Sequence, residues 1–403
     1  MTRRKSRHAL VFGSLGLKNR GDDELLIALA RWLDGRYQSL SCFLSAPDES
    51  LIGELQSRTS MQVYCDLEPL WPTPKRPWRG MLARRRMRNE IARRNHEAPI
   101  DAFWIGGLLG NAEINVRIRR IQLKWAARFC RKLVYYFGDV GNGFSHIREG
   151  RKWARTADQK RMVVALRSSE ATEEIRRAGF HGEVLNGVDA ALYDRYLSRQ
   201  GSFGRLEAPQ PLAAFNPCAR GYPESQQFWL SVARHAHAQG LSVCWISTWD
   251  RDDLPVCQDL ADRAGGEIPG IQQQIVKAAT CESAFAPARF AMTSRYHAAI
   301  FAIAAGIPLT VYPYDDKVQR LIAWLGWDQR ILNVDRIATG MDLDAYVRDV
   351  VYDAPHGRQD IPQAKLAAEI DQHWVALDRI RQLLELPEEP HVDCTFSRVG
   401  SAQ

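Results

Sequence analysis

The sequence predicts an α/β protein of two domains, each a parallel sheet covered by helices, that face each other across a cleft. Short apolar segments alternate with segments of helical periodicity along most of the chain, as in strand–helix–strand units. The alternation lapses between Tyr193 and Pro211, where the composition is that of a linker, and then begins again. A length of 403 residues fits two or three domains of about 150 residues each.

We therefore expect an N-terminal domain over residues 1–195, with a basic insertion at 75–94, and a C-terminal domain over residues 196–345. A C-terminal helix and tail over residues 346–403 should follow, with the helix packing back toward the N-terminal domain. Ligands of parallel sheets bind at the carboxyl ends of the strands, so the cleft between the domains is the expected site.

In the N-terminal half, the apolar segment 8–13 predicts a strand that ends in a glycine-bearing loop, and a helix begins near Asp22. Further strands are predicted over 102–105, 133–137 and 162–166. Each strand is followed by a turn and a polar or helical segment, which favours parallel pairing.

The C-terminal half repeats the pattern. A final amphipathic helix is predicted over 362–386, because its apolar residues recur on one stripe. The other predicted elements are strands over 212–215, 241–247, 290–293 and 309–312, and helices over 224–239 and 295–305.

Charge and composition restrict the class of protein. The chain has 54 Lys and Arg against 47 acids, a formal net charge of +7 and a pI near 9.0, which favours anionic partners. None of the eight cysteines shows CxxC spacing, which indicates reduced thiols in the cytosol. No apolar run approaches the roughly 20 residues that span a bilayer. We expect a cytoplasmic protein, or one bound peripherally to the inner face of the cell membrane.

The loop after the first strand, with Asn19, Gly21 and Asp22, lies between a strand and a helix. Glycines let the backbone approach a ligand closely, and a helix N-terminus favours an anion. Acids in a first helical turn are equally well explained as stabilising caps, so a tight capped turn is an even alternative. The loop fits neither a Walker A nor a GxGxxG motif. Asn19 and Asp22 could instead contact sugar hydroxyls.

The strand 290–293 leads into a second candidate site. Ser294 is a suitable helix N-cap, and Arg295 and His297 fall in the first helical turn, where cations oppose the helix dipole. With Lys317 after the next strand, they predict a phosphate or carboxylate site. In the alternative interpretation, Arg295 pairs with a nearby acid and His297 is a hydrogen-bonded residue between the domains.

Two further strand ends add candidates. Gly106 and Gly107 follow the strand 102–105, where glycine allows close approach of a substrate or makes a tight turn. Arg167 closes the strand 162–166 at the expected cleft, although such an arginine is often a surface or ion-pair residue.

Basic segments suggest a partner surface. The segment 75–94 holds nine cations and one acid, and a second basic segment, 117–132, has interleaved apolar residues. Both suit an anionic membrane surface, although a solvated basic face is the simpler alternative. Nucleic acid is not expected, because no matching motif accompanies them. No metal is expected, since the ten histidines form no ligand pattern.

Taken together, these motifs resemble those of the polysaccharide pyruvyl transferase family. Residues 19–24 (NRGDDE), 106–109 (GGLL) and 138–141 (GDVG) are similar to its N-x-G-D-E-x, G-G-x-L and G-x-G-x-G-P motifs. The strongest match runs from 294–298 (SRYHA) through 306–308 (GIP) to 314–318 (YDDKV). Arg167 falls at the R-D motif with Ser168 in place of Asp, 188–191 (VDAA) resembles D-P-A, and Asn142 stands where Pro is common.

The resemblance implies two Rossmann-like domains facing across a cleft, like those of GT-B glycosyltransferases. It implies transfer of pyruvate from phosphoenolpyruvate, the donor substrate, to sugar hydroxyls as a ketal, without a cofactor. The acceptor would be a saccharide, lipid-linked if the basic segment 75–94 binds an anionic membrane. In this interpretation His297 is the general acid and Asp22, helped by Asn19, orients or deprotonates the acceptor. The remaining substrate-binding candidates are Arg295, Lys317, Arg167, Gly21, Gly106, Gly107 and Ser294.

Two other classes of function fit the sequence less well. A GT-B glycosyltransferase that uses a nucleotide sugar would share the fold and the phosphate-binding helix terminus. A non-catalytic protein that binds membranes or polyanions would use the basic segments alone. The transferase is preferred because Arg295, His297 and Lys317 lie away from those segments. The sequence leaves the oligomeric state open.

Overall fold

The structure is a computed structural model, and the residues it describes form two parallel sheets with helices on both faces, as predicted. The described residues are 7–15, 19–44, 48–67, 85, 89, 99–106, 109, 113–198, 211–220, 222, 224–313, 315–334, 343–348 and 363–386. The basic segment 75–94 lies outside them, apart from Arg85 and Asn89. In the described part of the chain, no helix combines the length and apolar character needed to cross a bilayer.

Seven strands form the N-terminal sheet. They are β1 (His8–Leu15), β2 (Ser39–Leu44), β3 (Gln62–Leu67), β4 (Ile100–Ile105), β5 (Lys132–Gly138), β6 (Val163–Leu166) and β7 (Val184–Asn186). All neighbours are parallel, in the order β3-β2-β1-β4-β5-β6-β7. The order reverses between β1 and β4, and their carboxyl ends therefore flank the crevice where ligands of such sheets bind.

Helices cover both faces of this sheet because side chains alternate along each strand. Ala9 and Val11 of β1 belong to one apolar cluster, and Leu10 and Phe12 to another on the opposite face. The helices of this domain are α1 (Arg20–Leu33), α2 (Glu49–Arg58), α3 (Glu113–Ala126), α4 (Arg148–Gln159), α5 (Ser169–Arg177) and α6 (Ala190–Ser198).

The C-terminal sheet repeats the plan with five parallel strands in the order β10-β9-β8-β11-β12. These are β8 (Leu212–Asn216), β9 (Ser242–Ile246), β10 (Gln273–Val276), β11 (Phe290–Thr293) and β12 (Leu309–Val311). Here the order reverses between β8 and β11. The helices are α7 (Gln226–Ala238), α8 (Asp253–Glu267), α9 (Cys281–Phe285), α10 (Tyr296–Ala305), α11 (Asp316–Trp324), α12 (Leu343–Val347) and the C-terminal α13 (Gln363–Leu383).

The two domains share an apolar core around α10. This helix is apolar on all sides, and its residues are buried except for His297, which is partly exposed. It packs against α1 and α6 of the N-terminal domain. One cluster therefore contains residues of both sheets together with α13. Burial of apolar surface at this junction fixes where the domains meet.

The C-terminal helix α13 spans both domains. Near its start, the indole of Trp324 in α11 donates to Glu369 at 3.4 Å. Near its end, Arg379 pairs with Glu183 at 2.6 Å, and Arg7 donates to the carbonyl of Leu384 at 2.6 Å. The helix thus packs back onto the N-terminal domain as expected.

His373 is the buried polar residue of this helix. Its ring stacks between Phe137, at 3.8 Å between centroids, and Tyr193, at 4.2 Å. Neither ring nitrogen has a hydrogen bond of ordinary geometry among the described residues, although the backbone of Val188 lies near the ring. Burial lowers the pKa of His373 to about 3, so the ring is neutral.

The stretch interpreted as a linker, from Tyr193 to Pro211, begins later than predicted. Helix α6 extends to Ser198, because Leu192 and Tyr193 are buried against the rest of the domain. Residues 199–210 lie outside the described part of the chain.

Candidate active site

The start of α1 contacts the second domain. The backbone N–H of Arg20 donates to the carbonyl of Thr248 at 2.9 Å, and Asn19 forms an antiparallel bridge with Trp249. Both Thr248 and Trp249 follow β9, at the carboxyl edge of the C-terminal sheet. The predicted loop motif therefore lies where the carboxyl edges of the two sheets meet.

His297, in the first turn of α10, lies directly against Gly21. A methyl group at Gly21 would sit only 1.9 Å from Nδ1 of His297, so a side chain there would displace the ring. The next residue, Asp22, accepts a hydrogen bond from Nδ2 of Asn19 at 2.9 Å. Gly106, with a φ of +83°, brings the end of β4 so close that a methyl group would lie 3.0 Å from Oδ1 of Asp22. Five predicted residues thus lie close together: Asn19, Gly21, Asp22, Gly106 and His297.

The carboxyl group of Asp22 is suited to hold a proton. Burial raises its pKa, and the nearby His297, Lys317 and Arg167 oppose this rise. A carboxyl group whose pKa is raised in this way can exchange a proton closer to neutral pH.

The neighbouring Asp23 is also buried. Burial, and then the negative charges of Asp22 and Asp48, raise its pKa well above the ordinary value. Its Oδ1 has no hydrogen-bond partner among the described residues. Burial thus raises the pKa of both adjacent acids at the start of α1, which makes each carboxylate a stronger base.

Asp189 lies on the other side of His297. Its Oδ2 is 3.7 Å from Nε2 of His297, which is too long for a hydrogen bond, and that nitrogen has no other partner in the described structure. Burial alone would raise the pKa of Asp189, but His297 and Arg167 lower it below its usual range. Asp189 therefore favours its charged form beside the imidazole.

Arg167 is held rigidly at the end of β6. Its Nη1 donates to Asp189 at 2.5 Å, and its Nη2 donates to Asp139 at 3.1 Å. The guanidinium also stacks on the ring of Tyr296 at 4.2 Å. These contacts match the ion-pair interpretation of Arg167, although the residue also lines the cleft described below.

The predicted N-cap at Ser294 is wrong by one residue. Helix α10 begins at Tyr296 with Arg295 in the N-cap position. The cause is Asn216 at the end of β8, whose carbonyl accepts from the N–H of Ser294 at 2.9 Å and whose Oδ1 accepts from the N–H of Arg295 at 3.1 Å. These two hydrogen bonds keep the backbone extended through Arg295, one residue further than predicted. The hydroxyl of Ser294 is buried and has no partner among the described residues.

The side chain of Arg295 pairs with a buried acid. Its Nη2 donates to Asp253 at 2.5 Å and its Nε donates to the same carboxylate at 3.1 Å, while the guanidinium lies over Trp249. Burial raises the pKa of Asp253, and Arg295 opposes the rise. This is the ion-pair alternative that the sequence left open.

A cleft of about 230 Å³ lies between the domains beside Arg167. Lys317 lies in the first turn of α11, with Nζ 3.9 Å from the carboxylate of Asp315. The lining residues of most chemical interest are Asp139, Arg167, Asp189, Tyr296, Lys317, Arg320, Glu369 and Gln372. The volume is below the roughly 300–1,000 Å³ of sites for drug-sized ligands, so it suits a small molecule.

Comparison with known proteins identifies the family. A model of the polysaccharide pyruvyl transferase family matches residues 19–316. The chain belongs to this family. A search of curated proteins gave no match.

Two of the solved structures with a similar fold are described with UDP-sugars. HepE of Anabaena, solved with UDP-glucose, is 13% identical with a TM-score of 0.56, over 94% of this chain and 99% of HepE. A UDP-N-acetylglucosamine 2-epimerase described as putative, from Listeria monocytogenes, is 12% identical with a TM-score of 0.61, over 94% of this chain and 97% of the other. Together these similarities show that this pyruvyl transferase family member has the GT-B fold of two Rossmann-like domains.

The structure brings several of the predicted residues together. Gly21 lies against His297, and Asp22 contacts both Asn19 and Gly106. Lys317 and Arg167 line the adjoining cleft, Arg295 and Ser294 lie at the start of α10, and Gly107 lies outside the described residues. No group of three metal-ligating side chains was found in the described part of the chain.

Sequence reasoning assigned no role to several residues of the site. Asp139 and Asp189 entered only as members of the GDVG and VDAA motifs. The sequence did not indicate that both pair with Arg167. Asn216 and Asp253 gave no signal in the sequence, because each acts on α10 from a distant part of the chain.

Proposed function

We propose that this protein transfers pyruvate from phosphoenolpyruvate to two hydroxyl groups of a sugar, forming a ketal and releasing phosphate. The observation that carries the proposal is the meeting of Asp22 and His297, one from each domain, beside the buried Arg167–Asp189 pair. All four residues occupy positions of the motifs that resemble the family.

The cleft supports a small anionic donor. Phosphoenolpyruvate carries a carboxylate and a phosphate, and arginine and lysine are the usual partners of such groups. Arg167, Lys317 and Arg320 line the cleft. Lys317 lies in the first turn of α11, where the helix dipole also favours an anion. Arg295 and Ser294, also predicted for the donor, do not line this cleft, and Arg295 pairs with Asp253.

His297 is the proposed general acid. It donates a proton to the methylene carbon of phosphoenolpyruvate, which leaves an oxocarbenium-like centre at the neighbouring carbon. A first sugar hydroxyl attacks that carbon and loses its proton to Asp22. The carbon–oxygen bond to phosphate then breaks, a second hydroxyl attacks the same carbon, and phosphate carries away the last proton. Asp189, whose Oδ2 lies 3.7 Å from Nε2 of the imidazole, keeps the ring oriented.

The acceptor enters from the N-terminal domain in this proposal. Asn19 and Asp22 offer an amide and a carboxyl to sugar hydroxyls, and Gly21 and Gly106 let His297 and Asp22 approach the same point. We propose a lipid-linked saccharide of cell-surface polysaccharide synthesis as acceptor, because the protein is basic and its net charge of +7 suits an anionic membrane.

The alternative function is a GT-B glycosyltransferase that uses a nucleotide sugar. It is favoured by the fold shared with HepE, which was solved with UDP-glucose. A non-catalytic binding protein is the third possibility, and one experiment separates all three.

That experiment is a thermal-shift titration with phosphoenolpyruvate, UDP, GDP and inorganic phosphate. A ligand at 100 times its dissociation constant adds about 2.7 kcal/mol of stability. We expect phosphoenolpyruvate to stabilise the protein more than phosphate does, and Lys317→Ala to reduce this effect. Arg263→Ala removes an exposed cation of α8 and should leave the stabilisation by phosphoenolpyruvate unchanged.

Lys317→Ala is preferable to Arg295→Ala as the first variant. Removing Arg295 would leave the buried Asp253 without its cation, so loss of binding could not be distinguished from loss of folding. Stabilisation by UDP or GDP but not by phosphoenolpyruvate would replace the proposal with the glycosyltransferase. Stabilisation by none of the four ligands would favour the non-catalytic protein. If binding is found, wild-type transfer rates in His297→Ala would remove His297 from the mechanism.

A further inference from the structure

Helices α3 and α4 carry a strong excess of positive charge. Together they hold eight Lys and Arg against three acids. Arg120 and Lys152 are occupied by the buried Glu149, at 2.8 Å and 3.2 Å. Several of the remaining cations have no carboxylate within ion-pair distance among the described residues. They are Arg117, Lys124, Arg148, Arg151 and Arg155.

The first turns of the two helices lie side by side at the edge of the sheet that holds the candidate active site. α3 follows β4 and α4 follows β5, and the N–H of Arg148 donates to the carboxylate of Glu113 at 3.1 Å. Ile114 is 62% exposed next to this contact. We name the surface formed by Ile114, Arg117, Arg148 and Arg151 the docking face.

The docking face adjoins the cleft. The turn between β5 and α4 contains Asn142, whose Nδ2 donates to Asp316 in the first turn of α11 at 2.8 Å. Asp316 precedes Lys317, which lines the cleft. The turn between β5 and α4 therefore connects the docking face to the cleft between the domains.

We propose that the docking face binds a membrane that contains anionic lipid. Cations around an exposed isoleucine suit a bilayer surface, where the cations meet phosphate groups and the apolar side chain enters the interface. Nucleic acid fits less well, because Trp125 packs beside Phe12 and Trp153 is fully buried, so neither is available for stacking on bases. This inference extends the proposed function by naming the surface that brings the cleft to a lipid-linked acceptor.

The test is flotation of the full chain with vesicles of equal parts phosphatidylglycerol and phosphatidylcholine, compared with phosphatidylcholine alone. We expect binding to the mixed vesicles only. Each cation near the surface contributes about fivefold to binding, so Arg117→Gln with Arg148→Gln should weaken it about 25-fold. Ile114→Asn should weaken it further without a change in charge.

The matched control removes two charges just beyond the far ends of the same helices, with Arg128→Gln and Lys160→Gln. These residues lie roughly 16–18 Å along the helix axes from the first pair. That is about two Debye lengths at physiological salt, so their effect should stay within about threefold. Thermal denaturation of each variant verifies folding.

Any of three results would overturn the proposal. They are an equal loss of vesicle binding in the test and control double variants, equal binding to both kinds of vesicle, and no vesicle binding. Full displacement from the vesicles by a short DNA duplex at the same salt would assign the surface to nucleic acid instead. Phosphoenolpyruvate titrations of the Arg117→Gln, Arg148→Gln variant keep the two proposals separate. A normal thermal shift with lost vesicle binding supports docking, whereas vesicle binding without any thermal shift contradicts only the proposed donor.

Discussion

The contact between Gly21 and His297 gives a sharp prediction, because it joins the two domains through a position that has no side chain. In Gly21→Ala, the new methyl group would lie 1.9 Å from Nδ1 of His297. Non-bonded heavy atoms need about 3.5 Å, so the ring must move by roughly 1.6 Å or the domains must separate there. Gly53→Ala is the matched control, since a methyl group at Gly53 in α2 would have no neighbour within 4 Å.

The two substitutions should have opposite effects. Alanine is favoured over glycine in a helix by about 1 kcal/mol, so Gly53→Ala should stabilise the protein by that amount. Gly21→Ala should gain little or lose stability, because the displaced ring offsets the helical preference. A displacement of 1 Å at a reacting group can cost about 100-fold in rate, so we expect a loss of transfer of that order in Gly21→Ala alone.

Urea denaturation measures the stability difference, and the imidazole resonance of His297, assigned with His297→Asn, reports the ring position. Gly21→Ala should shift this resonance, whereas Gly53→Ala should leave it in place. If Gly21→Ala stabilised the protein as much as Gly53→Ala and left the resonance unmoved, the contact between α1 and α10 would be refuted, and with it the meeting of Asp22 and His297.

Three further predictions concern buried charges and rings. His373→Phe should stabilise the protein by about 1 kcal/mol in urea denaturation, because two ring nitrogens that lack ordinary hydrogen bonds are replaced by carbon. His373→Ala should instead destabilise it by about 3 kcal/mol. Destabilisation by His373→Phe would contradict the missing hydrogen bonds. Asp23→Asn should be more stable than wild type at neutral pH, and this advantage should vanish as the pH falls to about 4. The reason is that folding raises the pKa of Asp23, so the wild type loses stability as the pH rises through the pKa of the folded state. A stability difference that does not depend on pH would argue against this reasoning. Arg295→Ala should lose about 3–5 kcal/mol, and adding Asp253→Asn should recover part of it; additive losses would show that the pair is not coupled.

Much of the fold followed from the sequence because its buried parallel strands are continuous apolar segments. The strand predicted over 290–293 matches β11 at both ends, and the helix predicted over 295–305 begins one residue later as α10. The final amphipathic helix, predicted over 362–386, is α13 with its apolar stripe buried. In each case the local pattern and the tertiary packing agree.

The strands that were missed lack such a pattern. Although β2 is wholly buried, its sequence SLSCFL alternates small polar and apolar residues, and β10 (QQIV) is a partly exposed edge strand. The strand β7 has only three residues. Their strand conformation is decided by pairing with neighbours, which a single sequence does not reveal.

The candidate site was predictable in its residue types but not in its pairings. Arg295 and His297 were both expected to face an anion, yet Arg295 pairs with Asp253 and His297 lies beside Gly21. Asp253 starts a helix 42 residues earlier in the chain, and no local spacing could connect the two. The motif resemblance selected the candidate residues, and only the fold showed which of them are charge partners.

The way α13 is attached limits how the two halves of the molecule can swing. At its start the helix is held to α11 by Glu369, whereas from His373 onward its apolar stripe is buried on the N-terminal half. Opening would therefore separate α13 from Trp324 and leave the rest of the helix in place. Glu369 and Gln372 would travel with the N-terminal half while Lys317 and Arg320 remained with the other. The width of the mouth between these two pairs is thus a direct gauge of the hinge angle, and distance probes placed on α11 and α13 would follow it.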